Sequence, residues 1–163
     1  MRRLLPIVTL VLAGCMFQNI APTERLGDAV NGINDETRWG RVDLAAQRVD
    51  PRFRNRFAAS HARWGRQIQI ADSEVTQMTL ADDGDSAVSV VAVSWYQLDG
   101  MDLRISVLEQ KWQRNGNAFV LSRERVVDGD DALLAVAQPA QRGAHAAAAA
   151  ANDTDVAIAD QSR

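Results

Sequence analysis

The chain is poor in the groups that do most side-chain chemistry. Of its 163 residues one is cysteine, one is tyrosine and two are histidine. A lone thiol cannot close an internal disulfide, so the fold must hold without covalent staples. The histidines are His61 and His145, and His145 sits inside the alanine run near the C-terminus. With no second imidazole or spare thiol, the body of the chain lacks the ligand set of a zinc site, and no metal or other cofactor is expected. There is no Gly-x-Ser-x-Gly elbow, no Walker-type glycine loop and no dinucleotide fingerprint. No apolar stretch is long enough to cross a bilayer as a helix. Basic excess is missing too. The net charge is −3, and a mildly acidic body has no electrostatic footprint for nucleic acid.

What is present begins at the N-terminus. Arg2 and Arg3 make a short positive start, and Leu4 to Leu12 follow as an apolar run of signal-peptide length. Then comes Leu12-Ala13-Gly14-Cys15, which contains the only cysteine. This resembles the lipobox of bacterial lipoproteins. The resemblance implies that Cys15 receives a diacylglycerol thioether, that cleavage falls between Gly14 and Cys15, and that the new N-terminus is acylated as well. Loss of residues 1–14 removes two arginines and leaves 16 basic and 21 acidic residues, a net charge of −5. Each buried methylene contributes about 0.8 kcal/mol, and one acyl chain binds only marginally, so two or three chains make the anchor. The lipid bilayer is therefore the first expected partner. Met16, not aspartate, follows the cysteine. In the lipoprotein resemblance this points to the outer membrane of the cell envelope rather than the inner one.

Residues 15–22 read as a lipidated tether. A helix start follows at Pro22, with Thr23 as N-cap and Glu24 in the first turn. Leu26, Ala29, Val30 and Ile33 recur at helical spacing, and Trp39-Gly40 breaks the pattern. A second helical pattern runs through Val42, Leu44, Ala45, Ala46 and Val49, and Asp50-Pro51 ends it. Pro51 opens a third segment. Phe53, Phe57, Ala58 and His61 share one face there, with Arg52, Arg54 and Arg56 elsewhere. The string Arg-Trp-Gly occurs at 38–40 and at 63–65, but the flanking residues do not match, so there is no internal repeat.

From about Arg66 the period becomes two. Ile68 to Leu80 reads as a long, bulged strand and "ADDGD" as a turn. Ser86 to Leu98, Leu103 to Arg114 and Ala118 to Val127 are the next strands. Asp99-Gly100 and Asn115-Gly116 are hairpin signals. Such a meander sorts side chains onto two faces. One carries Val88, Val90, Ala92, Ser94, Tyr96, Leu103, Ile105, Val107, Glu109 and Val120. The other carries Val91, Val93, Trp95, Leu108, Trp112, Phe119 and Leu121, with Arg104, Arg123 and Arg125 toward one end. Residues 129–163, with "AHAAAAAA", lack aromatics and pattern and read as an alanine-rich disordered tail, in which Leu133 to Val136 can form a short helix.

Helices first, then a long meander ending near residue 127, is the order of the nuclear transport factor 2-like fold. The stretch "TRWGRVDLAAQRVDPRFRNRF" is similar to the second-helix region of such domains. The resemblance covers residues 23–128 and implies an α+β cone, with N-terminal helices packed on a curved antiparallel sheet. The fold hosts isomerases, dehydratases, cyclases and non-catalytic binding modules, so it does not fix an activity. For the enzyme reading, the resemblance directs attention to Tyr96, Glu109 and His61 as acid, base and oxyanion groups in a pocket. The four tryptophans are core packing or the lining of an apolar cavity. The preferred expectation is a membrane-anchored envelope lipoprotein with a non-catalytic binding or assembly module. It would dock an envelope protein, or a second copy of itself, through the sheet around Trp95, Trp112 and Arg123. The alternative is an envelope enzyme using the cone's pocket.

Overall fold

The structure is a computed structural model, and it describes residues 21–136. The expected signal segment, Cys15 and the tail beyond Val136 lie outside the described residues. Helix α1 spans Pro22–Arg38. Its N-cap is Ala21, not Thr23, and Pro22 takes the first helical position. The proline ring fixes φ near the helical value and lacks the N–H that this position would leave unpaired, so the helix starts two residues before the point that an N-cap at Thr23 would set. Leu26, Ala29, Val30 and Ile33 are all buried, as their spacing requires.

The second helical pattern breaks in two. Helix α2 is only Val42–Ala45, a 3₁₀ turn covers Ala46–Arg48, and Val49 is extended. Val49 is held by β-type pairing to Leu121, and Asp50 N–H donates to the Leu121 carbonyl at 2.9 Å. Tertiary pairing thus overrides helical propensity here. Helix α3 spans Pro51–Ser60, and the Asp50 carboxylate accepts from Arg52 N–H as its N-cap. Phe57 and His61 are buried, whereas Ala58 is exposed.

Four antiparallel strands follow in the order β1-β2-β3-β4: Ile68–Leu80, Ser86–Gln97, Arg104–Asn115 and Ala118–Gly129. Bulges interrupt β1 near Ala71 and Thr76. The Asp99-Gly100 signal sets the right register, since Trp95 stands opposite Arg104, although pairing stops there and residues 98–103 form an open loop. The helices cover one face of the sheet. Asp131–Leu134 forms a 3₁₀ turn on that same side, with Leu133 fully buried. The first residues of the expected tail therefore belong to the domain. The fold is α+β, helices first and a four-stranded antiparallel sheet after.

Two glycines carry the close approach of the loops after α1 and α3. Gly40 (φ +69°) and Gly65 (φ +71°) stand so near that a Cβ on either would lie 2.9 Å from the other's Cα. The two Arg-Trp-Gly strings are not a repeat, but their glycines pack against each other.

Candidate functional site

The covered face is apolar in rungs that cross the sheet. Ala87, Trp112 and Leu121 stand level across β2, β3 and β4, and so do Val91, Leu108 and Val126. Between these rungs lies a polar one: Ser89, Gln110 and Glu124, register partners across the same three strands. It divides the core. Trp112, Phe119 and Leu121 pack with α1 and Phe57 on one side of it; Trp64, Ile68, Trp95, Leu108 and Leu133 pack on the other.

Glu124 reaches this rung because of a bulge. Trp112 pairs with Leu121 but Lys111 pairs with Arg123, so β4 holds one extra residue at Ser122. A one-residue shift exchanges the faces of all that follows. Arg123 and Arg125 therefore lie on the uncovered face, contrary to simple alternation, and Glu124 turns inward.

The buried rung is closed from the helices by Asn34 and His61. Gln110 Nε2 donates to Glu124 Oε1 and to Asn34 Oδ1, each at 3.0 Å. Ser89 Oγ donates to Gln110 Oε1 at 3.0 Å, and Trp112 Nε1 donates to Ser89 Oγ at 2.9 Å. Asn34 Nδ2 donates to the Val30 carbonyl at 2.8 Å. Glu124 Oε2 lies 3.2 Å from His61 Nε2, with the two side chains 3% and 1% exposed, and it accepts no well-aligned hydrogen bond. The imidazole stacks on Phe57 with centroids 4.0 Å apart and tilts against Trp64 at 4.3 Å. Its Nδ1 sits 2.9 Å from the Phe57 carbonyl and 3.1 Å from Ser60 Oγ. A neutral ring with its proton on Nδ1 donates to the Phe57 carbonyl, and one with its proton on Nε2 turns that N–H toward Glu124. A protonated ring presents a donor to both. Burial pushes the imidazole below its ordinary value, more than the Glu124 charge and the Phe57 carbonyl raise it. Sealed between aromatic rings, the pair ties α3 to β4.

The expected catalytic trio does not assemble. Tyr96 and Glu109 point to the uncovered face, and His61 is buried on the other. Glu109 is engaged by Arg125 through Nε at 2.9 Å and Nη2 at 3.1 Å. That hydrogen bond holds its carboxyl below the usual range. The expected docking residues also separate. Trp95 and Trp112 are buried, with Trp95 Nε1 donating to Ser106 Oγ at 3.0 Å, while Arg123 is exposed on the opposite side. Trp64 is likewise core, so three of the four tryptophans are packing; Trp39 is exposed. Among the described residues no group of acidic, histidine or cysteine side chains is placed to hold a metal ion.

Asn34, Ser89, Gln110 and Glu124 were not singled out by the sequence reading. A signal for two of them was present. Ser89 sits between Ala87 and Val91, and Gln110 between Leu108 and Trp112, polar residues on an otherwise apolar period-two face. The bulge that brings Glu124 beside them leaves no such mark.

The uncovered face is the other candidate. Its centre is Val90, Ala92 and Val107, all half-buried within the sheet. Gln77, Thr79, Val88, Lys111, Gln113 and Ser122 line a groove of about 550 Å³ along it. Asp72 and Glu74 stand toward one corner, and Lys111, Arg123 and Arg125 toward the corner diagonally opposite. Lys111 and Arg123 are directly opposed like charges, a destabilising arrangement that neither resolves with an ion pair among the described residues.

No family model matches the chain, and no curated protein does. Among solved structures it is similar to a SEC-C motif containing protein from Rhodopseudomonas palustris, with a TM-score of 0.52 and 11% identity over 61% of this chain and 77% of that one. It is also similar to the intermembrane space region of the chloroplast protein ARC6, with a TM-score of 0.47 and 12% identity over 63% of this chain and 94% of that one. At these identities the first likeness shows the α+β fold alone.

Proposed function

We propose that the protein is a lipid-anchored cell-envelope lipoprotein whose domain, a nuclear transport factor 2-like cone, is a non-catalytic binding or assembly module. The lipid is carried by Cys15, at the end of Leu12-Ala13-Gly14-Cys15, and the outer membrane is the assigned site because Met16 follows. No helix among the described residues is long and apolar enough to cross a membrane. The observation that carries the module reading is the contrast between the two faces of the sheet. The covered face is filled by Trp64, Trp95, Trp112, Phe57 and Leu133, where a ligand of the cone would sit. The other presents an apolar centre between charged corners and has no covering element among the described residues. Such a surface favours a docking partner over a substrate pocket.

The test has two arms. Mass spectrometry of the mature protein should find Cys15 as an acylated N-terminus, and Cys15→Ala should leave the membrane fraction. An unmodified sulfur, or a variant that still sediments with membranes like the parent, refutes the anchor. Crosslinking in intact envelopes should then yield adducts that Val90→Asp, on the uncovered face, abolishes and that Tyr96→Phe leaves unchanged. Adducts indifferent to Val90→Asp refute the docking face.

A further inference from the structure

We propose that the partner of the uncovered face is a second copy of this chain, packed face to face about a two-fold axis that runs diagonally across the sheet. The inference rests on the docking-face reading above and deepens it by naming the occupant. An isologous interface must be complementary to itself: residue i meets j, and j meets i. The charges on this face meet that condition most fully in one orientation. In the sheet register, Asp72 and Glu74 stand beside Ser94 and Ala92, on the β1 side and toward the C-terminal half of β2. Lys111 and Arg123 stand level with Val88, on the β3–β4 side and toward the N-terminal half of β2. The acidic and basic groups thus lie at opposite ends of one diagonal.

A two-fold axis parallel to the strands would lay Glu74 over Asp128, which is level with Val107 at the β4 edge. That orientation opposes like charges. An axis perpendicular to the strands lays Glu74 over Gln77 and Arg125 over Asp128, but sets no acidic side chain opposite Lys111 or Arg123. An axis along the other diagonal places Lys111 over Glu74 of the second copy and Arg123 over its Asp72. Val90 and Val107 then fall on the axis, each against its own counterpart. The strands of the two sheets cross near a right angle, one of the two stable ways for sheets to pack.

Within one copy the carboxylate near Lys111 and Arg123 is Glu109, which Arg125 already engages through two hydrogen bonds; this pairing gives the two cations carboxylates of their own. Asp72 is already approached by Arg38 at 3.2 Å, so it completes a three-membered cluster with Arg123. A face of four strands and about ten paired residues each offers roughly 600 Å² per copy at β spacing, below the roughly 800 Å² per partner of a standard interface. The dimer should be weak in solution and populated where anchoring raises the effective concentration.

The experiment uses the full lipidated chain in nanodiscs or vesicles of outer-membrane lipid, with dimer fraction read by single-molecule photobleaching across surface density. The wild type should dimerise. Lys111→Glu with Arg123→Glu should raise the dimerisation midpoint at least tenfold, and adding Asp72→Lys and Glu74→Lys should restore it. A chain that stays monomeric at all densities, or a reversal that fails to rescue, overturns the second-copy assignment. The two readings fail separately. If the chain is monomeric but Val90→Asp still abolishes the envelope adducts, a different protein occupies the face and only the dimer falls. If Val90→Asp changes neither measurement, the docking face falls with it.

Discussion

Replacing Gln110 with leucine tests whether the polar rung is a stabilising network. The substitution keeps the approximate volume and removes the hub. Glu124 Oε1 loses the Gln110 Nε2 donor at 3.0 Å, and its companion Oε2 already lacks a well-aligned donor. Asn34 Oδ1 loses a donor and Ser89 Oγ an acceptor, in a region where Gln110 is 2% exposed. A buried neutral group left unsatisfied costs about 1–3 kcal/mol, and breaking a buried charged network costs about 3–5 kcal/mol. Partial retention, through Val30 for Asn34 and Trp112 for Ser89, keeps the sum near the second figure. The expected loss is about 3–5 kcal/mol, a large share of the roughly 5–15 kcal/mol that holds a domain of this kind. Urea unfolding followed by the fluorescence of buried Trp64, Trp95 and Trp112 reads it directly. At a slope of roughly 1.5–2 kcal/mol/M the midpoint should fall by about 2 M with the slope unchanged. The double variant Gln110→Leu with Glu124→Leu removes the stranded carboxylate and should regain at least about 1 kcal/mol. A midpoint shift worth less than about 1 kcal/mol, or a double variant that simply adds the two losses, refutes the network.

Two further outcomes follow from the same core. Burial holds the His61 imidazole below its ordinary value of 6.5, so as pH falls below 6.5 the unfolded chain takes up a proton that the folded chain refuses. Stability is complete above that pH and should drop below it by up to about 1.4 kcal/mol per pH unit, until the folded ring itself protonates. Asp83, held low by the Asp85 and Ser86 N–H groups, and Glu109, held low by Arg125, lose their contributions only in the carboxylate range. Urea midpoints at pH 7.5 and 5.5 should therefore differ in the parent and converge in His61→Gln; equal midpoints in the parent refute the assignment. Leu133→Ala opens a void beside Trp64 and Trp95 and should cost about 2–4 kcal/mol by the same unfolding assay. A cost near zero would return residues 131–134 to the tail.

The α1 stripe, the change of period near residue 66 and the Asp99-Gly100 register were legible because each is local: spacing, turn chemistry and alternation act within a dozen residues. The second turn falls at Gly116-Asn117 instead of Asn115-Gly116, since Asn115 pairs with Ala118; the shift of two keeps each side chain on its face. The second helix was misread because Val49 is drawn into pairing with Leu121, 72 positions away. The site was half legible. His61 shares the buried face with Phe57, as its spacing requires, and Ser89 and Gln110, though not singled out, interrupt an apolar period-two face. Its carboxylate was invisible, because the bulge at Ser122 decides which of Arg123 and Glu124 faces inward, and "LSRERVV" alternates equally well either way. The same slip misassigned Arg123, which the sequence reading grouped with the buried Trp95 and Trp112.

The bulges also decide how the sheet can associate. β1 and β4 are its two edges, and each carries two breaks in register, near Ala71 and Thr76 in β1 and at Ser122 and Val127 in β4. An edge with breaks cannot present an even row of donors and acceptors to a third strand, so strand addition at either side is obstructed. The helices and the 3₁₀ turn at Asp131–Leu134 occupy one face. What remains for a partner is the opposite face, where the bulge in β4 has just delivered Arg123 and Arg125. One inserted residue therefore does two things at once. It supplies the buried carboxylate that meets His61, and it turns two arginines toward the surface that the acidic corner of another copy can engage. Removing it, by deleting Ser122, should damage stability and association together, and an effect on only one of them would break that connection.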